Sequence, residues 1–295
     1  MTHYHYRLVN VFAESTFGGN PLCVFEDARG LSSDTMQAIA LQFNLSETTF
    51  ILPSSTATAR VRIFTPTFEM AFAGHPTLGS AHVVRDLFSA GDSITLEMKA
   101  GVIPVNAIND RWTLSANPPT FRDCTLSRAQ IAAMLSLQIA DVVDGVRWVN
   151  TGSEQLIVPL ASADAVQRVL PKADLLAAIS SDMGRSMAYV FAETSTRTST
   201  RNGTSDQEHK LISRFFFLKH GSVVEDPGTG SATANLGGWM LGANRALPLT
   251  FQIEQGAAVN RPCHLGLKVD ANTQIFVSGR VIELGRGGLR LEREA

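Results

Sequence analysis

Cysteine, net charge and long apolar runs are all scarce in this 295-residue chain. The three cysteines, Cys23, Cys124 and Cys263, are odd in number, far apart and without CxxC spacing, which excludes a disulfide framework and a zinc knuckle and leaves reduced core thiols as the reading. Twenty-five Lys plus Arg against 27 Asp plus Glu give a formal charge of −2, without the basic excess that binding to a phosphate backbone needs, so nucleic acid is not an expected partner. No apolar run approaches the roughly 18 residues of a membrane-spanning helix, so no membrane partner is expected either. The opening MTHYHYRLVNVF lacks a basic segment followed by an apolar one; it reads as a first strand, and a cytoplasmic location is expected. What is present, 44% hydrophobic and 18% charged residues, describes a globular chain long enough for two domains.

The pattern alternates strands and helices. Tyr6 to Val11 and Leu22 to Phe25 read as strands around a Gly-Gly-Asn-Pro turn at 18–21. In SDTMQAIALQFN, Ser33 or Asp34 serves as N-cap, Met36, Ile39, Ala40 and Phe43 share one helical face, and Asn44 is a C-cap. Ser46-Glu47-Thr48-Thr49 then leads into an apolar strand, with Glu47 on the junction. After strands at 59–65 and 68–72, Gly74-His75-Pro76-Thr77 opens a helix to about Phe88, with proline in the first turn. Strands at 93–98, 102–108 and 112–115 end at Asn117-Pro118-Pro119, a domain boundary. Beyond it come a Ser127…Gln130 capping box, a strand at 155–160, and helices at 163–170 and 174–183. Strands at 187–192 and 211–218 flank Glu193 to Lys210, whose Ser, Thr and charge content predicts a mobile surface loop.

Comparing the halves gives the most informative motif. HPTLGSA at 75–81 matches DPGTGSA at 226–232 at an offset of 151, which also places Phe64 on Phe215, while Arg62 and Arg214 do not align. Two similar α/β domains follow, each with a glycine-bearing turn that becomes a helix start. The first N–H groups of a helix lack partners and sit at the positive end of its dipole, so such turns suit a carboxylate, although they also serve simply as helix caps. At this offset His75 and Asp226 are equivalent, a plausible acid/base set. His82 shares the helix with His75, but without an HExxH pattern no metal site is expected.

At this point the chain resembles the phenazine-biosynthesis (PhzF-like) isomerase family of the diaminopimelate-epimerase-like fold. The resemblance rests on GNPLCVF at 19–25, NLSETTFI at 44–51, RIFTPTFEMAFAGHPTLGSA at 62–81, EDPGTGSA at 225–232, EQGAAVNRP at 254–262 and IFVSGRVIEL at 275–284. It implies an α/β (α+β) fold of two pseudo-symmetric domains, each a twisted sheet or barrel around a central helix. The first takes residues 1–118 plus about 275–295 and the second 119–274. The family is typically homodimeric and uses no metal or organic cofactor.

The resemblance further implies Glu47 of the SET motif as proton carrier, His75 and Asp226 as the other polar catalytic positions, and Ser231 as a substrate contact. Backbone around Gly74 and Gly230 would hold the carboxylate of a small-molecule substrate. The activity implied is proton transfer on a small cyclic or amino-acid-like carboxylate, as in trans-2,3-dihydro-3-hydroxyanthranilate isomerisation. Alternatives are a cofactor-independent epimerase or racemase and a non-catalytic carboxylate binder. Epimerases of this fold use two cysteines, one in each helix-starting loop; neither loop here has one, so single-base chemistry by Glu47 fits better. Two departures bear on the substrate: Gly228 stands where the family often has Ala, and Glu154 where a less charged residue is expected near the substrate.

Overall fold

The computed structural model describes residues 2–182, 184–201 and 204–292. Its contacts divide into two compact units, Met1–Leu114 with Ser278–Ala295, and Ser115–Val277. The first unit contains β1 (Thr2–Val11), β2 (Asn20–Phe25), α1 (Ser33–Phe43), β3 (Thr48–Leu52), β4 (Ala59–Phe64), β5 (Glu69–Met70), α2 (Gly74–Leu87), β6 (Ser93–Met98), β7 (Gly101–Ile108) and β8 (Arg111–Ser115). The second contains β9 (Thr120–Asp123), α3 (Arg128–Leu135), β10 (Arg147–Asn150), β11 (Glu154–Pro159), α4 (Ala163–Arg168), α5 (Ala173–Ala177), β12 (Met187–Arg201), β13 (Thr204–Lys219), β14 (Ser222–Asp226), α6 (Gly230–Gly242), β15 (Leu249–Gln255) and β16 (Cys263–Val269). A last strand, β17 (Ile275–Leu291), begins in the second unit and continues in the first.

In the first unit the strand pairs run β1–β2–β3–β4–β6–β7–β8–β17 and return to β1, a closed barrel. Closure leaves no open sheet edge. Inside it, α2 is buried from Gly74 through Ala81, which requires small residues where strands press close. A Cβ on Gly79 would lie 2.6 Å from Leu22 and 3.0 Å from Val11. Outside the barrel, α1 lays Met36, Ile39 and Ala40 against Cys23, Phe25, Phe50 and Phe64. Its N-cap is Ser32, whose hydroxyl accepts from Thr35 N, one residue before the expected Ser33 and two before the expected Asp34; Asn44 closes the helix in the left-handed region.

In the second unit the order is β9–β10–β11–β12–β13–β15–β16, with β14 also on β13 and α6 packed on β10, β11 and β16. The Ser127–Gln130 capping box is present at α3. The helices α4 and α5 are shorter than the sequence pattern predicts, and Met183, the expected end of the second, lies outside the described residues. The expected loop from Glu193 to Lys210 is instead strand: β12 and β13 pair onward to Arg201↔Thr204. Low apolar content hid this, yet Thr recurs at alternate positions from 194 to 200, and its β-branch favours extended backbone. Asn202-Gly203, also outside the described residues, is in sequence the dipeptide of two-residue hairpins.

The two units repeat one topology, but not at the sequence offset. Arg62 and Arg214 correspond: each lies over a phenylalanine two residues on, Phe64 or Phe216, and each pairs with a glutamate on the next strand, Glu69 or Glu225. From there Met70 matches Asp226, since they oppose Ile63 and Phe215, and the helix starts Gly74 and Gly230 match. His75 therefore corresponds to Ser231, not to Asp226, and the HPTLGSA/DPGTGSA match is out of register. The cause is the β13–β14 hairpin, whose arms are longer: Arg214 and Glu225 are 11 positions apart where Arg62 and Glu69 are 7 apart.

Candidate active site

In the first unit, three expected site residues come together. The backbone enters α2 through Ala73 in extended conformation with no side-chain cap, so the first N–H groups of the helix stay directed out of its end. Pro76 has no N–H to leave over. Thr77 donates its hydroxyl to Ala73 O at 2.6 Å, and Ser80 donates to Thr49 Oγ1 at 2.9 Å, tying the helix to β3. That bond fixes the approach of Glu47, which immediately precedes β3. Its Oε2 lies 3.4 Å from His75 Nε2, and the Glu47 side chain is 15% exposed. On the other side of the imidazole, Asn20 Nδ2 lies 3.4 Å from His75 Nδ1.

Burial pushes the His75 pKa down to about 3, against a backbone hydrogen bond with Pro21 that raises it. The imidazole is thus neutral at physiological pH, and its contact with Glu47 is a polar contact, not an ion pair. This has a stability consequence. Between the ordinary histidine pKa of about 6.5 and about 3, the unfolded chain binds a proton here that the folded chain does not. Stability therefore rises with pH across that window, by at most about 1.4 kcal/mol per unit from this group, and the contribution is complete above pH 6.5. Urea unfolding of His75→Gln is expected to show a shallower loss of stability between pH 6.5 and 5 than the parent; an unchanged slope would contradict a buried neutral imidazole.

In the second unit, Asp226, Gly230 and Ser231 lie along the entry to α6, Asp226 at the end of β14 and the other two in the first turn of the helix. Asp226 closes β14, and its carboxylate accepts from the hydroxyl of Thr229, the uncapped residue that begins α6. Gln255 binds both: its Nε2 donates to Asp226 O at 2.9 Å and to Thr229 Oγ1 at 3.0 Å, while its Oε1 accepts from Thr229 N at 3.3 Å. Next to it, Gly256 has φ +83°, and a Cβ there would lie 2.4 Å from Pro227 O and 2.3 Å from Arg261 O, so only glycine lets this turn press on the Asp226–Pro227 segment. Ser231 Oγ accepts from Gln155 Nε2 at 3.0 Å, and Gln155 Oε1 accepts from Asn235 Nδ2 at 2.8 Å.

Glu154 is accounted for by structure. It is buried, forms two bonds to Arg122 at 3.0 and 2.6 Å, and accepts from Asp182 N at 2.6 Å; the Arg122 hydrogen bonds hold its pKa low against burial. Its charge anchors a loop. Four polar residues of these groups were not singled out from sequence: Asn20, Gln155, Asn235 and Gln255, all buried. Asn20 and Gln255 do lie inside the quoted motifs GNPLCVF and EQGAAVNRP. Asn235 and Gln155 carry no local signal, because an amide in an apolar helix or strand reads as an interruption of the pattern.

Comparison with known proteins gives a consistent picture. The family profile described as phenazine biosynthesis-like protein matches residues 9–285. An uncharacterized isomerase of Pasteurella multocida is 38% identical over 98% of this chain and 95% of its own length. A trans-2,3-dihydro-3-hydroxyanthranilate isomerase of Pseudomonas chlororaphis is 31% identical over 98% of this chain and all of its own. Among solved structures, a PhzF-family phenazine biosynthesis protein of Bacillus anthracis superposes with a TM-score of 0.83 at 23% identity, covering 99% of this chain and all of the other.

Proposed function

The chain belongs to the phenazine biosynthesis-like protein family, and from that premise we propose that it is an isomerase that moves a carbon-bound proton on a small cyclic or amino-acid-like carboxylate. The fold is the mixed α/β, diaminopimelate-epimerase-like one. The observation that carries the reading is a single carboxylate, Glu47, held against a buried neutral imidazole at the start of α2.

The topology makes this chemistry one-sided. By strand register Glu47 corresponds to Met187 in the second unit, so the repeated scaffold offers one proton carrier and not two. No cysteine stands in either helix-starting turn to take the second role: Cys23 lies within β2, Cys124 just after β9 and Cys263 at the start of β16. In the proposed mechanism Glu47 removes a proton from one carbon and returns it to another. His75, neutral, hydrogen-bonds to substrate or to Glu47 and does not act as a cationic acid. The backbone N–H groups of the first turn of α2, at Gly74, suit a substrate carboxylate; those at Gly230 with the Ser231 hydroxyl do likewise in their own unit, where Asp226 adds a polar group. The protein is proposed to work as a homodimer in the cytoplasm, without a metal or organic cofactor.

Proton NMR in D₂O with trans-2,3-dihydro-3-hydroxyanthranilate tests the reading. The expected result is migration of the ring double bonds, with less than full deuterium at the newly protonated carbon because Glu47 returns the proton it took. Absence of migration, together with inversion of a chiral amino or hydroxy acid by the same protein, would replace this reading with the epimerase one.

A further inference from the structure

Strand register and helix starts place Ser153, Met187 and Ser231 of the second unit where the first unit has Asn20, Glu47 and His75. In the first unit these positions converge through the two 3.4 Å contacts of His75. None of the three counterparts is ionisable, yet a fixed positive charge reaches the same corner. Arg185, two residues before Met187, places Nη2 3.3 Å from Ser153 Oγ. Its backbone is pinned, with Arg185 N donating to Ser181 Oγ at 3.1 Å and Arg185 O accepting from Ser181 N at 2.8 Å.

The guanidinium is linked to the start of α6 through Ser153, which meets Arg185 with its hydroxyl and Asn235 with its backbone carbonyl. Ser153 O accepts from Asn235 Nδ2 at 2.8 Å; that amide also donates to Gln155 Oε1, and Gln155 Nε2 donates to Ser231 Oγ. Thr151 holds Asn235 from the far side, through its N at 2.8 Å and its hydroxyl at 2.7 Å. These buried amides fix the spacing between a cation and an uncapped helix start, two elements that each favour an anion. We propose that Arg185 is a substrate-binding residue that, with the first turn of α6, recognises a carboxylate group of the substrate. The proposal rests on the proton-transfer reading for the identity of the site and adds the residue that selects the charged acid over a neutral analogue.

Calorimetric titration with 2-aminobenzoate and its neutral isostere 2-aminobenzamide tests it without turnover. The parent protein is expected to favour the acid by about 10–100-fold, the range of a hydrogen bond to a charged group. In Arg185→Gln the preference falls to about 3-fold or less, the loss falling on the acid alone, and Arg185→Lys keeps an intermediate preference. Equal weakening of both ligands would show that Arg185 only braces its loop and would overturn the proposal, as would a parent protein without preference for the acid. Should Arg185→Gln fail to fold, Arg185→Lys and Ser153→Ala carry the test, because each keeps the charge but alters its placement, and an undiminished preference in both defeats the idea. Failure of the proton-transfer reading is read separately, from parent turnover, which does not enter the acid/amide comparison.

Discussion

Glu47→Gln is expected to lower turnover by about 10²–10⁴-fold, the ordinary contribution of a positioned general acid/base, with the melting temperature close to the parent value. The amide keeps the size and most of the polar contacts of the carboxyl group but takes up no proton from carbon. A retained fold is expected because the residue precedes β3 and contributes no ladder pair of that strand, whose pairing begins at Thr48. Glu47→Asp gives a sharper geometric test: it keeps the acid and withdraws it by one methylene, and about 10²-fold of the rate is expected to go with the misplacement. Circular dichroism and turnover measured on the same preparations decide the matter. Near-parent turnover in Glu47→Gln would remove this residue from the proton path, whatever the substrate.

The largest expected effect on stability lies elsewhere. Arg7 on β1 is 2% exposed and meets three carboxylates: Glu26 at 2.6 Å, Asp86 of α2 at 2.5 Å and Glu283 of β17 at 3.0 Å. Arg7→Met removes the cation common to all three and is expected to cost about 3 kcal/mol, toward the low end for a broken buried pair because Arg286 still serves Glu283 and Asp86. The acid limb should change too. The Arg7 hydrogen bond holds the Asp86 carboxyl low, and for Glu283 the bonds from Arg286 and Arg7 outweigh the upward push of burial. Depressed carboxyl values give stability that is present above the unfolded values near pH 4 and is lost as pH falls through the folded ones, so the variant should lose less on acidification. Adding Glu26→Gln and Glu283→Gln to Arg7→Met should recover part of the loss, since a neutral set lacks stranded charge. Denaturant unfolding at pH 7 and at about pH 3 checks both parts, and a loss below about 1 kcal/mol at pH 7 would show that the cluster is effectively solvated.

Much of this was legible in the residues because the helix starts are written locally. Gly74-His75-Pro76-Thr77 announces a first turn through its proline, and Ser127…Gln130 announces another through reciprocal capping. What failed was register. The match of HPTLGSA with DPGTGSA is genuine as letters but aligns His75 with Asp226, whereas the ladders align it with Ser231. A hairpin that changes length between repeats moves every later position, and one constant offset does not absorb that. The Arg62 and Arg214 pairs, unaligned at that offset, turned out to be the true landmarks. Composition misled at Glu193 to Lys210, where paucity of apolar side chains outweighed the alternation of threonine that favours strand. Arg185 gave no signal, because its meaning comes from Ser153 and Asn235, far along the chain.

The strand β17 sets an order on assembly during synthesis. Residues Val281 to Leu291 are the neighbours of Thr2 to Val11, so β1, made long before β17, waits for it before the barrel can close. The unit built from Ser115–Val277 has no such wait, because its residues are contiguous. Long-range closure is slow and leaves open strand edges while it is pending. A nascent chain therefore carries the Glu47–His75 pair in a barrel with one stave missing until β17 has been made, and a chain truncated before β17 would present β1 and β8 as bare edges to whatever strand it meets.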